Sequence, residues 1–134
     1  MIITIKGTPI AKKRPRFFRR GNFEGAYNPQ ETEEGRWLWE AQDQITEKIE
    51  EGPISLKVKF SFPPLKSWPK KTLKQLQDEQ LLCHFKKPDL DNCIKFVKDC
   101  LNGIAWHDDS QVSQISAIKC YALEAKTEIE VKKI

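Results

Sequence analysis

The chain has 134 residues, of which 39% are hydrophobic, and it carries a formal net charge of +4 at pH 7. This length favours one domain, spanning residues 1–134, with a single modest core. No apolar run approaches the roughly 20 residues that a membrane-spanning helix needs, and the first basic residues follow the first apolar run, the reverse of a signal peptide. We therefore expect a globular, cytoplasmic protein with no membrane partner.

Charge is distributed in blocks along the chain. Residues 1–20 contain only basic charges, residues 24–51 are mainly acidic, and residues 57–87 are mainly basic. Basic segments on either side of an acidic one suit a polyanionic partner such as DNA, although the lysines of 57–74 alone could be ordinary solvated surface. The candidate DNA contacts are Lys12, Lys13, Arg14, Arg16, Arg19, Arg20, Lys86 and Lys87.

The first third of the chain predicts a strand followed by a basic arm. Residues 1–6 alternate weakly and predict a strand, whereas the glycine and prolines of residues 7–16 oppose a regular helix. Phe17 and Phe18 lie among arginines, where they could stack on bases; packing in the core is the more common use of such rings and is favoured here. Residues 21–29 have turn composition.

The middle of the chain predicts a helix, a strand and an excursion. A helix over residues 30–51 would carry an apolar stripe on one face and acids on the other. Residues 54–62 alternate between apolar and polar side chains, which predicts a half-buried strand. Residues 63–86 form an excursion with a short helix near 70–82, either a DNA-facing flap or a cover for the sheet edge. The stripe consists of Trp37, Ala41, Ile45 and Ile49.

The last part of the chain predicts a second helix and two strands. The helix runs from about Asp91 to Gly103, with the strands at 112–123 and 127–131. Its apolar residues fall on one face, and Lys95 lies on the other face, one turn after Asp91. We therefore expect an α/β (α+β) fold, a small mixed sheet flanked by helices. The core-facing residues of the helix are Ile94, Val97 and Leu101.

Two pairs of acids flank this helix. Asp89 and Asp91 stand at its start, and Asp108 and Asp109 follow its end. The helix spans about 18 Å, and an extended return over residues 104–109 spans about 20 Å. Such a return, antiparallel to the helix, would bring Asp109 level with Asp91; geometry permits this and does not require it.

A shared site of three carboxylates needs a cation. Two unit charges about 4 Å apart repel by about 4 kcal/mol at an effective dielectric near 20, and hard oxygen ligands select Mg²⁺ or Mn²⁺. Carboxylates beside a basic surface predict metal-assisted phosphodiester hydrolysis, with Lys95 balancing charge or holding water. In the alternative, Asp89 and Asp91 are helix caps and the second pair is a turn. His107 is expected to be an exposed turn residue rather than a ligand.

The cysteines do not suggest a metal site. Four are present without any CxxC spacing. Cys93 and Cys100 lie seven residues apart on the predicted helix, so they are expected to be reduced, buried apolar residues.

The sequence PDLDNCIKFVKDCLNG followed by WHDDSQV closely resembles the RusA family of Holliday-junction resolvases. The resemblance implies a homodimeric, Mg²⁺-dependent endonuclease that nicks two opposed strands of a four-way DNA junction. By motif, it implies Asp89, Asp91 and Asp109 as metal ligands, Lys95 as the catalytic lysine and Asp108 as a possible auxiliary. The excursion at 63–86 is longer than in compact members of the family.

Two other functions compete with this one. A non-catalytic module that binds branched DNA would lack magnesium-dependent nicking. A DxD phosphatase with an aspartyl nucleophile usually places its motif after a buried strand, whereas HFKKP precedes the motif here.

Overall fold

The structure, a computed structural model, describes residues 1–134. In chain order the elements are β1 (Ile2–Lys6), β2 (Arg16–Arg20), β3 (Phe23–Tyr27), α1 (Glu31–Gln42), β4 (Ile54–Phe62), α2 (Lys70–Gln77), α3 (Leu90–Leu101), a 3₁₀ turn (Asp109–Gln111), β5 (Val112–Tyr121) and β6 (Lys126–Lys133). A four-stranded mixed sheet has the order β1-β6-β4-β5, with β4 and β5 parallel and β6 antiparallel to both β1 and β4. The α/β (α+β) prediction is therefore confirmed.

The core lies between the sheet and helices α1 and α3. The alternation of β4 buries every second residue from Ile54 to Phe60, as its pattern predicts. Helix α3 contributes the predicted Val97 and Leu101, with Ile94 partly buried. Full burial of each large apolar side chain contributes about 1.5–3 kcal/mol, so these two elements fix the sheet against α3. No helix in the structure is long and apolar enough to span a bilayer.

Helix α1 is shorter than its apolar stripe predicts. It ends at Gln42 rather than near residue 51. Directly after it, the side-chain amide of Gln44 donates to Thr4 O at 2.8 Å and accepts from Thr4 N at 2.7 Å. The chain therefore leaves the helix to cap the edge of β1. Ile49 is still buried, but through a bridge with Trp106 rather than on a helix face.

Residues 16–27 form a β-hairpin, so the turn prediction for 21–29 was wrong over Phe23–Tyr27, which is strand, and correct at Gly21 and Asn22. Only Gly21 and Asn22 make the turn, since Arg20 already pairs with Phe23. The hairpin is a separate two-stranded sheet. Core packing of Phe17 and Phe18 was also wrong: Phe17 is 83% exposed and Phe18 is 38% exposed.

The excursion ends by covering part of the sheet edge. Its helix, α2, stops at Gln77 and buries Leu76. Residues 82–84 then pair with the outer side of β5, where His84 N donates to Lys119 O at 3.0 Å and Tyr121 N donates to Leu82 O at 2.9 Å. Residues 82–84 therefore cover part of the β5 edge, which is one of the two alternatives that the sequence left open for the excursion.

The two edges of the central sheet differ. On β1, the side chain of Gln44 bonds both the N–H and the C=O of Thr4, and the carboxylate of Glu40 accepts from Lys6 N at 3.0 Å. On β5, the outward groups beyond Lys119 are paired as described above. Because backbone direction alternates along a strand, the N–H and C=O groups of Ile115 and Ala117 face the same outer side, and they have no hydrogen-bond partner in this chain. The β5 edge is therefore open over residues 115–117.

Candidate active site

The start of α3 presents two exposed carboxylates. Asp89 is the N-cap residue with extended backbone, but its side chain accepts no capping hydrogen bond. Asp91 lies in the first turn, and Lys95 follows one turn later on the same outer face; all three are exposed. The carboxylates are thus not consumed as caps, and their oxygens are available to a cation or to water.

Backbone contacts fix this acidic end of α3 from two sides. The ammonium of Lys119 on β5 donates to Lys86 O at 2.7 Å and to Pro88 O at 2.6 Å. From the basic arm, Lys12 N donates to Asn92 O at 2.9 Å. Asp89 and Asp91 are therefore held in a defined position relative to both the sheet and the arm.

The second acidic pair lies at the opposite end of α3. The chain turns tightly after the helix, with Ala105 N donating to Leu101 O at 2.9 Å and Gly103 N donating to Trp106 O at 2.8 Å. The extended return along the helix is therefore not observed. Asp109 is instead fixed by the buried Trp106, whose indole Nε1 donates to Asp109 Oδ1 at 2.9 Å. The other carboxylate oxygen, Oδ2, takes no part in this bond.

Strand β5 gives a scale for the separation. Asp109 lies just before Val112, whereas Lys119, at the far part of the strand, contacts Pro88. Seven residues of strand cover about 23 Å, whereas oxygens that share one Mg²⁺ lie within about 4 Å of each other. Accordingly, no group of three or more His, Cys, Asp or Glu side chains in the single chain is placed to hold a metal ion.

Asp108 and His107 have local roles in the turn before β5. Asp108 Oδ2 accepts from Ser110 N at 2.9 Å, and Asp108 N donates to the side chain of Gln111 at 2.9 Å. The hydrogen bonds from Ser110 lower the pKa of Asp108. His107 is exposed, with Nδ1 3.7 Å from a Glu50 carboxylate oxygen. It is a turn histidine, as expected.

A groove of about 690 Å³ runs beside Asp89. It is bounded on one side by residues 8–13 of the arm and on the other by residues 87–89 and Asn92, and Glu33 also lines it. Lysines on both sides of the groove make it suitable for a sugar-phosphate backbone, because phosphate contacts dominate affinity for nucleic acid. The lysines that line it are Lys12, Lys13 and Lys87.

The family model for endodeoxyribonuclease RusA matches residues 6–132. The chain belongs to the RusA family. The match spans both acidic pairs, Lys95 and the basic arm, so it covers the whole candidate site, and it supports endonuclease activity on DNA. The chain is also 32% identical over 137 residues to the uncharacterized protein YqaN of Bacillus subtilis (strain 168), covering 98% of this chain and 94% of that protein.

Lys12 differs from the other basic residues of this RusA chain. Its ammonium lies 3.1 Å from Glu34 and 3.3 Å from Asp99. Burial alone would lower the pKa of Lys12, but the two carboxylates outweigh it and raise the pKa. Lys12 therefore fastens the arm to α1 and α3. The other candidate DNA contacts are exposed: Lys13, Arg14, Arg16, Arg19, Arg20, Lys86 and Lys87.

Lys119 and Trp106 are site residues that the sequence did not reveal. Lys119 meets Pro88 only through the pairing of residues 82–84 with β5, and no local pattern announces such a long-range contact. Trp106 did carry a signal, since it stands three residues before Asp109 in a turn, where a buried indole needs a hydrogen-bond acceptor.

His84 lies in the last part of the excursion, in the segment that pairs with β5. Its ring stacks on Phe62 with a centroid distance of 4.0 Å, and its Nδ1 is buried without a hydrogen-bond partner. Burial, followed by the charges of Lys119 and Lys86, lowers the pKa of His84. The ring is therefore packed as a neutral aromatic.

The two cysteines of α3 are buried, as predicted, whereas Cys83 is exposed. Cys93 and Cys100 are buried and unpaired. Burial raises the pKa of Cys93 to about 11 and that of Cys100 to about 12. A thiol with such a pKa is neither a nucleophile nor a ready metal ligand near pH 7.

Proposed function

We propose that this RusA-family chain is a Mg²⁺-dependent endonuclease that resolves four-way DNA junctions by paired, symmetric nicks. The observation that carries the proposal is the uncapped pair Asp89 and Asp91, exposed at the start of α3 beside a lysine-lined groove. A phosphate backbone lying in that groove would pass beside Asp89, which lines it, and Asp91 follows two residues later on the outer face of α3. The groove supplies binding, and the carboxylates supply the ligands that a hard cation prefers.

The residues of the site divide the work. A bound Mg²⁺ would activate water and stabilise the leaving oxygen. Asp89 and Asp91 would hold it from one side, which leaves the ligand set incomplete. Lys95, one turn further along the outer face of α3, would balance the negative charge that builds up on the phosphate. Lys13 and Lys87, the exposed lysines of the groove, would hold the scissile strand in register.

We further propose that Asp109 completes the ligand set across a homodimer. One chain keeps Asp109 and Asp89 at opposite ends of β5, yet a two-fold axis exchanges the ends of an element between two copies. Each of two equivalent sites would then take Asp89 and Asp91 from one subunit and Asp109 from the other. A four-way junction has two equivalent strands to cut, so two symmetric sites match the substrate.

The open β5 edge supports a specific pairing for this dimer. Residues 115–117 offer unpaired backbone groups and carry no charge or proline, whereas natural edges are usually blocked by such features. Antiparallel pairing of two such edges would place the start of β5 in one subunit beside the end of β5 in the other. Asp109 would then approach the partner subunit's Asp89, because Lys119 fixes Pro88 at that end.

A nicking assay with matched variants tests this function. Purified protein is incubated with a synthetic four-way junction, a linear duplex and a flap, with and without Mg²⁺. We expect Mg²⁺-dependent nicks on two opposed strands of the junction only. Asp89→Asn and Asp91→Asn should abolish nicking while retaining junction binding, whereas Asp43→Asn, which removes an exposed acid at the end of α1, should cut normally. Binding without nicking by the wild type would refute the nuclease and favour a non-catalytic module.

A further inference from the structure

The two faces of the β2–β3 hairpin differ in composition. Arg16, Phe18 and Arg20 alternate onto one face of β2, and their cross-strand partners are Tyr27, Gly25 and Phe23. This face, which we call the aromatic face, therefore carries three rings and two arginines without an acid. The opposite face carries Phe17, Arg19, Glu24 and Ala26, and its arginine already lies 3.8 Å from Glu24.

The rings of the aromatic face are pre-arranged. Phe18 lies directly over Gly25, where a Cβ atom would come within 2.6 Å of the ring. Its centroid is 6.0 Å from that of Phe23 and 6.4 Å from that of Tyr27. The outer two rings remain open to solvent, Phe23 at 63% and Tyr27 at 50% exposure. A contiguous exposed patch of this kind is typical of an interaction site.

The base of the hairpin is fixed beside the acidic end of α3. The buried side chain of Gln30 accepts from Lys13 N at 2.7 Å and donates to Ala11 O at 2.6 Å. It thus ties the chain that leaves for the hairpin to the chain that returns from it. Because Lys12 N also bonds Asn92 O, the hairpin projects from the border of the lysine-lined groove.

We propose that the aromatic face stacks on unpaired bases at the branch point of the DNA, a step that rests on the proposed function. Sequence-tolerant binding of single strands combines aromatic rings, on which bases stack, with cations that follow the backbone. Arg16 and Arg20 flank the rings and supply those cations, which distinguishes this face from a purely apolar docking surface. Phosphates held in the groove would place the next nucleotides against the rings.

The test uses exposed rings whose removal opens no core cavity. The double variant Phe23→Leu/Tyr27→Leu is compared with Phe17→Leu, which removes a ring of the same hairpin from the opposite face. Binding is measured without divalent metal, to a short single strand and to a junction with 2-aminopurine beside the branch. We expect the double variant to bind about tenfold more weakly and to lose the change in 2-aminopurine fluorescence, whereas Phe17→Leu stays near wild type.

Further results would separate this proposal from its alternatives. Gly25→Ala displaces the Phe18 ring without removing any aromatic group or charge, and it should also weaken binding. Wild-type affinity in the double variant, or equal losses in the double variant and Phe17→Leu, would overturn the proposal. So would a change of oligomeric state in the double variant, because the face would then be a protein contact. If binding depends on the rings but no nicking occurs, the nuclease proposal fails and the stacking proposal stands. If the protein nicks the junction and the double variant binds as the wild type does, the stacking proposal fails and the nuclease proposal stands.

Discussion

A mixed dimer of two inactive chains should regain activity if Asp109 acts across the subunit interface. One subunit carries Asp89→Asn and the other carries Asp109→Asn, each with its own affinity tag so that only the mixed dimer is purified. If the sites are shared, one site combines the intact Asp89 and Asp91 of the Asp109→Asn subunit with the intact Asp109 of the Asp89→Asn subunit. The other site collects both substitutions.

The expected magnitude follows from the arrangement of ligands. Each homodimer variant loses both sites, whereas the mixed dimer keeps one of its two sites and should nick at about half the wild-type rate. A site built within one chain would leave the mixed dimer with no intact site. The separation of about 23 Å along β5 is what makes the shared arrangement the expected one.

A plasmid with an extruded cruciform reads out the difference. Under the proposed function, wild type should cut both opposed strands and give linear product, whereas the mixed dimer should accumulate nicked circles. The reciprocal control combines a wild-type subunit with one that carries both Asp89→Asn and Asp109→Asn. Shared sites predict no activity in that control, and single-chain sites predict half. An inactive mixed dimer together with an active control would refute the shared site.

Three further predictions concern the supports of the site. Trp106→Phe removes the indole that orients Asp109, so half-maximal nicking should need about tenfold more Mg²⁺; Trp39→Phe, which changes an exposed tryptophan, should not alter this requirement. Ile115→Pro removes an outward N–H from β5, so it should be monomeric by light scattering and inactive in the nicking assay, whereas Ile115→Val should stay dimeric. A proline variant that remains dimeric would contradict the edge pairing. The folded state resists protonation of His84, so below its ordinary pKa of about 6.5 the unfolded state gains protons and stability falls. His84→Phe should therefore reduce the loss of Tm between pH 7 and pH 5, and an unchanged loss would count against a neutral ring.

The elements that the sequence predicted best are those with strong periodicity. Strand β4 and helix α3 each have a pattern that their burial confirms. The stripe from Trp37 to Ile49 was equally regular, yet α1 stops at Gln42. Hydrogen bonds from Gln44 to β1 compete with the last turns of the helix, and such a partner forty residues away leaves no trace in local spacing.

The hairpin was missed although its signal was present. Gly21-Asn22 between two short runs rich in aromatic residues is a two-residue hairpin loop, but the basic charges around it suggested an arm. The candidate site followed a similar course. Asp89, Asp91 and Lys95 could be grouped by helical spacing alone, whereas the position of Asp109 depends on a turn at Gly103 and on the packing of Trp106, which only the folded chain defines.

The clamp made by Gln30 has a bearing on how this chain could change over time. The Gln30 side chain bonds the segment that leads into the hairpin, and Gln30 itself lies just after the hairpin. A change within the hairpin therefore need not alter how its base is attached to the rest of the molecule. Hairpins of another length or with other side chains could replace this one without disturbing the central sheet and its helices. Under the proposed function, the preference for one shape of branched DNA over another could then change while the residues proposed for cleavage stay the same.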